Sequence, residues 1–270
     1  MTCHPAAEVR VRDSRESASG RRFRERQQRF FHDADVGHFR WQTENPYFAK
    51  TECALLEGFP LMAGAAVLEV GCGEGGNLRN LLRTAGTVPG VVVGLDLFER
   101  KLAFANGQGI GARFVCGDAL VLPFRDAAFD VILCRDLLHH LDDRPQALRE
   151  LRRVAKPEST IWIVEPNGRN PLVSLLALLR PHERDQLRNS VASLRKLAAR
   201  HFPRIEVEVR QPFPLSRIIL HPDFGIPELG RSPIVAGFLD AWDRLLRMLW
   251  PRRWWAYIVV KAGPTPTREP

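Results

Sequence analysis

Residues 67–78 read VLEVGCGEGGNL. An apolar run enters four glycines, Gly71, Gly73, Gly75 and Gly76, and a helical pattern leaves them. A junction of this kind lets the backbone turn sharply and lets a ligand approach the main chain. The same alternation recurs outward from it. Apolar runs at 65–70 (AAVLEV), 91–95 (VVVGL), 112–116 (ARFVC), 129–134 (FDVILC) and 160–165 (TIWIVE) read as buried strands. Helical spacing fills the intervals at 77–83, 98–108 and 145–154. Strands separated by helices in this way imply βαβ units, and so an α/β fold with a parallel sheet covered on both faces.

The last third differs. Residues 171–202 are mostly helical in pattern, and 204–210 (RIEVEVR) alternate strictly, as a half-exposed strand should. A proline-rich stretch leads to a helix over 235–250 and a final strand over 255–261 (WAYIVVK). These two late strands complete the sheet, with an antiparallel member expected at its edge. The expected organisation is a flexible tail and basic helix over 1–40, the helix carried by RRFRERQQRFF, then one domain over 41–270. Its cofactor-binding core spans 65–167, and 168–203 and 211–254 form helical lid and substrate segments.

Composition narrows the class. A chain of 270 residues with 45% hydrophobic content buries a full core. No apolar run reaches the ~18 residues of a spanning helix, and MTCHPAAEVRVRDSRES lacks a secretory apolar region. Five cysteines (3, 53, 72, 116, 134) form no CxxC pair, which disfavours a disulfide scaffold or a zinc module and fits a reducing cytoplasm. No metal ligand set is expected. Of 39 basic residues 5 are Lys, leaving 34 Arg; the net charge is +8. The Arg residues are spread along the chain, a compositional habit more than a nucleic-acid footprint.

The glycines satisfy two patterns. Gly71, Gly73 and Gly76 spell the dinucleotide GxGxxG, whereas Glu69 with Gly71, Gly73 and Gly75 spells ExGxGxG. Charge separates them. A dinucleotide lays its pyrophosphate at the helix N-terminus, where Glu69 and Glu74 would repel it. S-adenosylmethionine brings an ammonium and a sulfonium and no phosphate. Asp96, 20 residues beyond Gly76, can accept both ribose hydroxyls, as the acid of an NAD enzyme also does. Asp118, after the third strand, can accept from the adenine amino group. Glu69, Asp96 and Asp118 each end a successive strand, at the edge where open α/β sheets bind ligands.

The runs VLEVGCGEG, VVVGLD, GDALVLPF, FDVILCRDLLHHLDD and LRRVAKPESTIWIVEPN resemble, in their usual order, class I S-adenosylmethionine-dependent methyltransferases. The resemblance implies a Rossmann-like, mostly parallel seven-stranded sheet with its last strand antiparallel. It places Gly71, Cys72, Gly73 and Gly75 against the methionine part, Asp96 and Leu97 at the ribose, and Asp118 with Ala119 at the adenine. Cys134 and Arg135 would border the methionine end, and Tyr47 of ENPYF would reach the cofactor from a closing helix.

Methyl transfer from a sulfonium is an in-line displacement in which positioning does much of the work. A base is needed only if the acceptor sheds a proton. His139, His140 and Glu165 are the candidates, with His139 and Glu165 preferred. The place after the fourth strand reads CRDLL, without the D/N-P-P-Y/F of nucleobase amino-methyltransferases, and Cys134 is not beside a proline. Base methylation is therefore disfavoured, and the helix in LDAWDRLLRMLWPRRWW turns the expectation to a small-molecule acceptor, apolar or lipid-linked. Trp242, Leu245, Leu246 and Leu249 share a helical stripe near Arg244, Arg247, Arg252 and Arg253, which suggests peripheral contact with an anionic membrane. An NAD(P)-dependent oxidoreductase, an RNA methyltransferase and a non-catalytic cofactor-binding module remain alternatives.

Overall fold

The computed structural model describes residues 33–223 and 225–263. The tail and basic helix expected before residue 32 lie outside them. The chain opens with α1 (Val36–Glu44) and α2 (Pro46–Leu55). Then follow β1 (Ala66–Val70), α3 (Gly76–Thr84), β2 (Val91–Asp96), α4 (Glu99–Gly107), β3 (Arg113–Cys116) and β4 (Phe129–Arg135). The second half runs α5 (Arg144–Val154), β5 (Ala155–Pro166), α6 (Pro171–Leu179), a 3-10 run Pro181–Arg188, α7 (Val191–Ala199) and β6 (Ile205–Arg210). One turn of helix, α8 (Ser216–Ile219), precedes α9 (Pro233–Leu249) and β7 (Tyr257–Ala262).

The seven strands form one sheet in the order β3-β2-β1-β4-β5-β7-β6. Strands β1 to β5 pair in parallel, and β7 is antiparallel to both its neighbours. The antiparallel strand is thus interior, and β6 holds the edge, contrary to the expected edge placement. Burial explains the exchange. YIVVKA of β7 is buried on both faces except at Lys261, whereas IEVEVR of β6 alternates and keeps its glutamates at the solvent side of an edge.

Each strand contributes to two cores because successive side chains face opposite ways. Leu68, Val70, Ile132, Ile161, Ile163 and Val260 face α5 and α7, which add Leu148, Leu151, Leu194 and Ala198. Val67, Val131, Leu133, Trp162, Val164 and Val259 face the other layer, with Leu55, Phe59, Leu78 and Leu81. The helices start where the sequence caps them. Asp35 accepts from the His38 amide, Asn45 from Phe48 with Pro46 next in line, and Asp143 from Gln146. ENPYF is accordingly a helix start.

The helical stretch expected over 171–202 is broken into α6, the 3-10 run and α7. Asn170, fully buried, organises that return. Its side-chain oxygen caps α6 by accepting from Leu172 and Val173, at 3.0 and 3.1 Å. Its amide donates to Pro212 O at 2.8 Å and Trp254 O at 2.7 Å. Asn167, also buried, donates to Arg253 O and Trp255 O. Two asparagines therefore tie the segment after β5 to the segment before β7. Asn170→Ala removes a cap and strands the buried Pro212 carbonyl, so it should cost on the order of 2–3 kcal/mol. Urea unfolding with an unchanged slope and a lowered midpoint is the expected result; a midpoint equal to the parent's would show that the staple contributes nothing.

Candidate active site

A cavity of about 870 Å³ opens at the C-terminal ends of the parallel strands. Its floor is the β1–α3 loop. The amides of Gly71 and Cys72 donate to Leu95 O at 2.7 and 3.0 Å, and the amide of Gly73 donates to Asp96 Oδ2 at 2.8 Å. Gly73 has φ +51° and Gly75 φ +80°, and a Cβ on Gly75 would stand 2.7 Å from Ile110 Cδ1. A side chain at Gly75 would be strained and crowded at once.

Gly71, Cys72, Gly73, Asp96, Leu97, Asp118, Ala119, Arg135 and His139 of the expected site all line this cavity. Asp96 is nearly buried, and its Oδ1 accepts from the Phe98 amide at 3.1 Å. Burial raises its carboxyl above the usual range, while Lys101 and the two amides pull the other way. Asp118 Oδ1 accepts from the Leu120 amide at 2.8 Å and fixes the turn after β3. Glu74, expected to repel a phosphate, is paired to Lys101 at 3.3 Å.

Five expected residues do not reach the cavity wall: Gly75, Glu69 and Tyr47, together with the buried Cys134 and Glu165. Gly75 acts through the turn it permits. Glu69 lies fully buried and accepts from Asn77 Nδ2 at 2.7 Å, while its Oε2 has no hydrogen-bond partner among the described residues. Tyr47 packs with Leu220 and Leu239 and donates to Asp240 Oδ1 at 3.1 Å. Its hydroxyl is drawn to a carboxylate on α9, which also accepts from Lys50 at 2.9 Å.

Between the two layers lies a charged network that the sequence did not announce. Glu52, buried on α2, accepts from Arg135 Nη2 at 2.5 Å, Arg217 Nη2 at 2.7 Å and Gln42 Nε2 at 3.3 Å. Burial alone would raise its carboxyl, but Arg135 and Arg217 hold it below the usual range. Arg135 also donates to Asn77 Oδ1 at 2.9 Å and Asp136 Oδ2 at 3.1 Å. Asp136 follows β4 with φ +50°, lines the cavity, and has a buried Oδ1 without a hydrogen-bond partner among the described residues.

The far wall is built on Glu165. Its carboxylate, fully buried at the end of β5, accepts from the amides of Leu137, Leu138 and His139, at 3.0, 2.7 and 3.3 Å. It also accepts from Asn189 Nδ2 at 3.0 Å and pairs with His139 Nδ1 at 2.7 Å. His139 Nε2 lies 3.3 Å from Glu183 Oε2. Burial disfavours the imidazolium, but Glu165 and Glu183 override it and push His139 up to about 10. For Glu165, burial is likewise overridden by His139, and the carboxyl stays below its usual range. Apolar Leu137, Leu141, Val173 and Leu176 complete this end.

Residues 68–163 match a family model described as a methyltransferase domain. Curated relatives share the region. A 27-O-demethylrifamycin SV methyltransferase of Amycolatopsis mediterranei is 31% identical over 133 residues, 46% of this chain and 48% of the relative. A probable phthiotriol/phenolphthiotriol dimycocerosates methyltransferase 2 of Mycobacterium ulcerans is 40% identical over 98 residues, covering 36% and 37%. The chain thus spans less than half the length of these relatives. The solved phosphoethanolamine N-methyltransferase 2 of Haemonchus contortus, in complex with S-adenosyl-L-methionine, has the same fold. It matches 89% of this chain and 59% of its own with a TM-score of 0.62 at 21% identity. Over its glycine-loop core the chain is thus similar to methyltransferase domains, and its seven-stranded sheet is the one that the resemblance to class I S-adenosylmethionine-dependent methyltransferases implied.

Glu69 gives this site a pH signature. Burial pushes its carboxyl up to about 8; Asn77 and Arg135 oppose the rise, and Asp96 and Asp136 add to it. The unfolded chain ionises Glu69 near 4.5, so the folded state binds the extra proton between those values. Stability from this group is complete below about 4.5 and lost as pH rises through about 8. Glu69→Gln should therefore gain thermal midpoint over the parent, by several degrees, as pH rises across that window. A constant difference across the window would show that Glu69 is already ionised in the fold.

Proposed function

We propose that this chain transfers the methyl group of S-adenosylmethionine to a small apolar or lipid-linked acceptor. One observation carries the reading: a single cavity joins the glycine loop, Asp96 and Asp118 to an apolar wall bearing His139. In this reading Gly71, Cys72 and Gly73 present backbone to the methionyl part, and Arg135 offers its cation to the methionyl carboxylate. Asp96 accepts from the ribose hydroxyls, Leu97 borders the ribose, and Asp118 with Ala119 meets the adenine. Glu69 positions the loop through Asn77, and Tyr47 fastens α2 to α9. His139 faces the acceptor, and Glu165 is a positioning residue that fixes the ring. In-line approach to the sulfonium then depends on how the acceptor is held.

The acceptor class is supported by Leu137, Leu141, Val173 and Leu176 around the far end. A relative whose name specifies dimycocerosates fits the same chemistry. The four described cysteines are free thiols, which supports a reducing compartment such as the cytoplasm. Incubating the protein with labelled S-adenosylmethionine and fractionated cell extract should place label in the lipid or small-molecule fraction; label confined to RNA would overturn the acceptor class. Asp96→Ala should weaken S-adenosylhomocysteine binding by calorimetry about 10- to 100-fold, from one or two lost charge-assisted bonds. Unchanged affinity would remove Asp96 from the site.

A second reading concerns how such an acceptor arrives. The stripe expected at Trp242, Leu245, Leu246 and Leu249 is divided between two sides of α9. Leu239 and Leu246 are buried, whereas Ile234, Phe238, Leu245, Met248 and Leu249 are exposed. At 100° per residue the exposed five fall within roughly 100° of arc. Arg244, Arg247, Arg252 and Arg253 are exposed nearby, and Trp254 is partly so. Among the described residues no helix is long and apolar enough to cross a membrane. The arrangement suits a helix lying on an anionic surface, although no residue of α9 lines the cavity. Sedimentation with anionic vesicles in low salt should carry the protein down, and Ile234→Asp with Met248→Asp should release it. Absence of binding by the parent would discard the membrane contact.

A further inference from the structure

We propose that His139, His140 and Glu183 form a divalent-cation site, of the kind that takes zinc, at the acceptor end of the cavity. The two histidines lie on the turn Leu138–His140 after β4, and Glu183 lies on the 3-10 run after α6. The fold brings these separate segments together. One candidate ligand atom from each residue lies within 4.8 Å of the others, and all three residues line the cavity.

The spacing is close to what an ion requires. A tetrahedral zinc with donors at about 2.0–2.1 Å spaces them roughly 3.3 Å apart. His139 Nε2 is 3.3 Å from Glu183 Oε2, and His140 Nε2 is 3.9 Å from the same oxygen. The imidazole rings lie beside each other, centroids 3.9 Å apart and tilted by 46°. Both Nε2 atoms thus address one carboxylate oxygen, and a single ion can bind all three where a proton bridges two.

The surroundings are those of a built metal site. His139 Nδ1 is held by Glu165 at 2.7 Å, which turns Nε2 toward Glu183, so that an ion binding there displaces the Nε2 proton and takes its lone pair. Asn189 and three backbone amides in turn hold Glu165. His182 Nε2 lies 3.9 Å from the other oxygen of Glu183. The carboxylates of Glu165 and Glu183 flank His139 and supply the negative potential a divalent cation needs. Three protein donors facing a cavity leave a position for a further ligand, the pattern of catalytic zinc sites. The bound ion would polarise an acceptor oxygen. That role rests on the proposed function; the binding itself does not.

The test uses the full chain, stripped with chelator, and zinc alone. Equilibrium dialysis with elemental analysis should retain one ion per chain, and thermal unfolding should shift upward with zinc. His140→Ala and Glu183→Gln, both at partly exposed positions, should each lose that ion, with circular dichroism confirming the parent fold. Glu165→Gln, which touches no ion, should weaken retention about 10- to 100-fold. No retained ion in the parent, or equal retention by the parent and both ligand variants, would overturn the site. Calorimetry with S-adenosylhomocysteine on the stripped protein reports the methyltransferase reading separately, so either can fail without the other.

Discussion

The carboxylate of Asp96 is the constraint on which the site depends. It ends β2, yet it holds the loop that follows β1 by accepting from the Gly73 amide. Leu95 O accepts from Gly71 and Cys72 beside it. The loop is therefore not left to find its shape when a ligand arrives. It is fixed by the neighbouring strand, and that fixation turns a run of permissive glycines into a defined cradle. Asp96 thus shapes the floor of the cavity that it also lines.

The opposite wall follows the same design with a different anchor. Glu165 ends β5 and gathers five donors, among them the amides of the turn that carries His139. Between the walls, Glu52 collects Arg135 from β4 and Arg217 from α8. Breaking any one partner of such a buried set leaves an uncompensated charge, which costs far more than the pair itself contributes. Carboxylates at strand ends thus position loops, and the loops position the chemistry.

The core of the fold was readable because its physics is local. Burial on both sheet faces produces continuous apolar runs, and the glycine junction after β1 is confined to a few adjacent letters. RIEVEVR was readable as half-exposed, but its edge position depended on comparison with YIVVKA, which needed burial on both faces. Asp96 and Asp118 stood out because each follows a strand. Glu52 and Arg217 could not, since they are 165 residues apart and each has an ordinary surface reading alone. Glu183 was equally silent within PHERD, where nothing local shows that His139 lies beside it. Asn167 and Asn170 offered a signal, two asparagines bracketing the return from β5, that sequence reasoning passed over. The stripe on α9 misled because the helix has two apolar arcs, and only packing decides which one is buried.

The cleft offers Asp96 and Asp118 to the nucleoside of S-adenosylmethionine, whereas the expected repulsion of a diphosphate is weakened, because burial pushes the Glu69 carboxyl up to about 8 and Glu74 is paired to Lys101. A crystal structure grown with S-adenosylhomocysteine tests this placement most directly. The ribose hydroxyls should lie on Asp96, the adenine beside Asp118 and Ala119, and the sulfur facing the His139 wall. A ligand bound elsewhere, or an NADH soak that lays its diphosphate against Gly73, would contradict it.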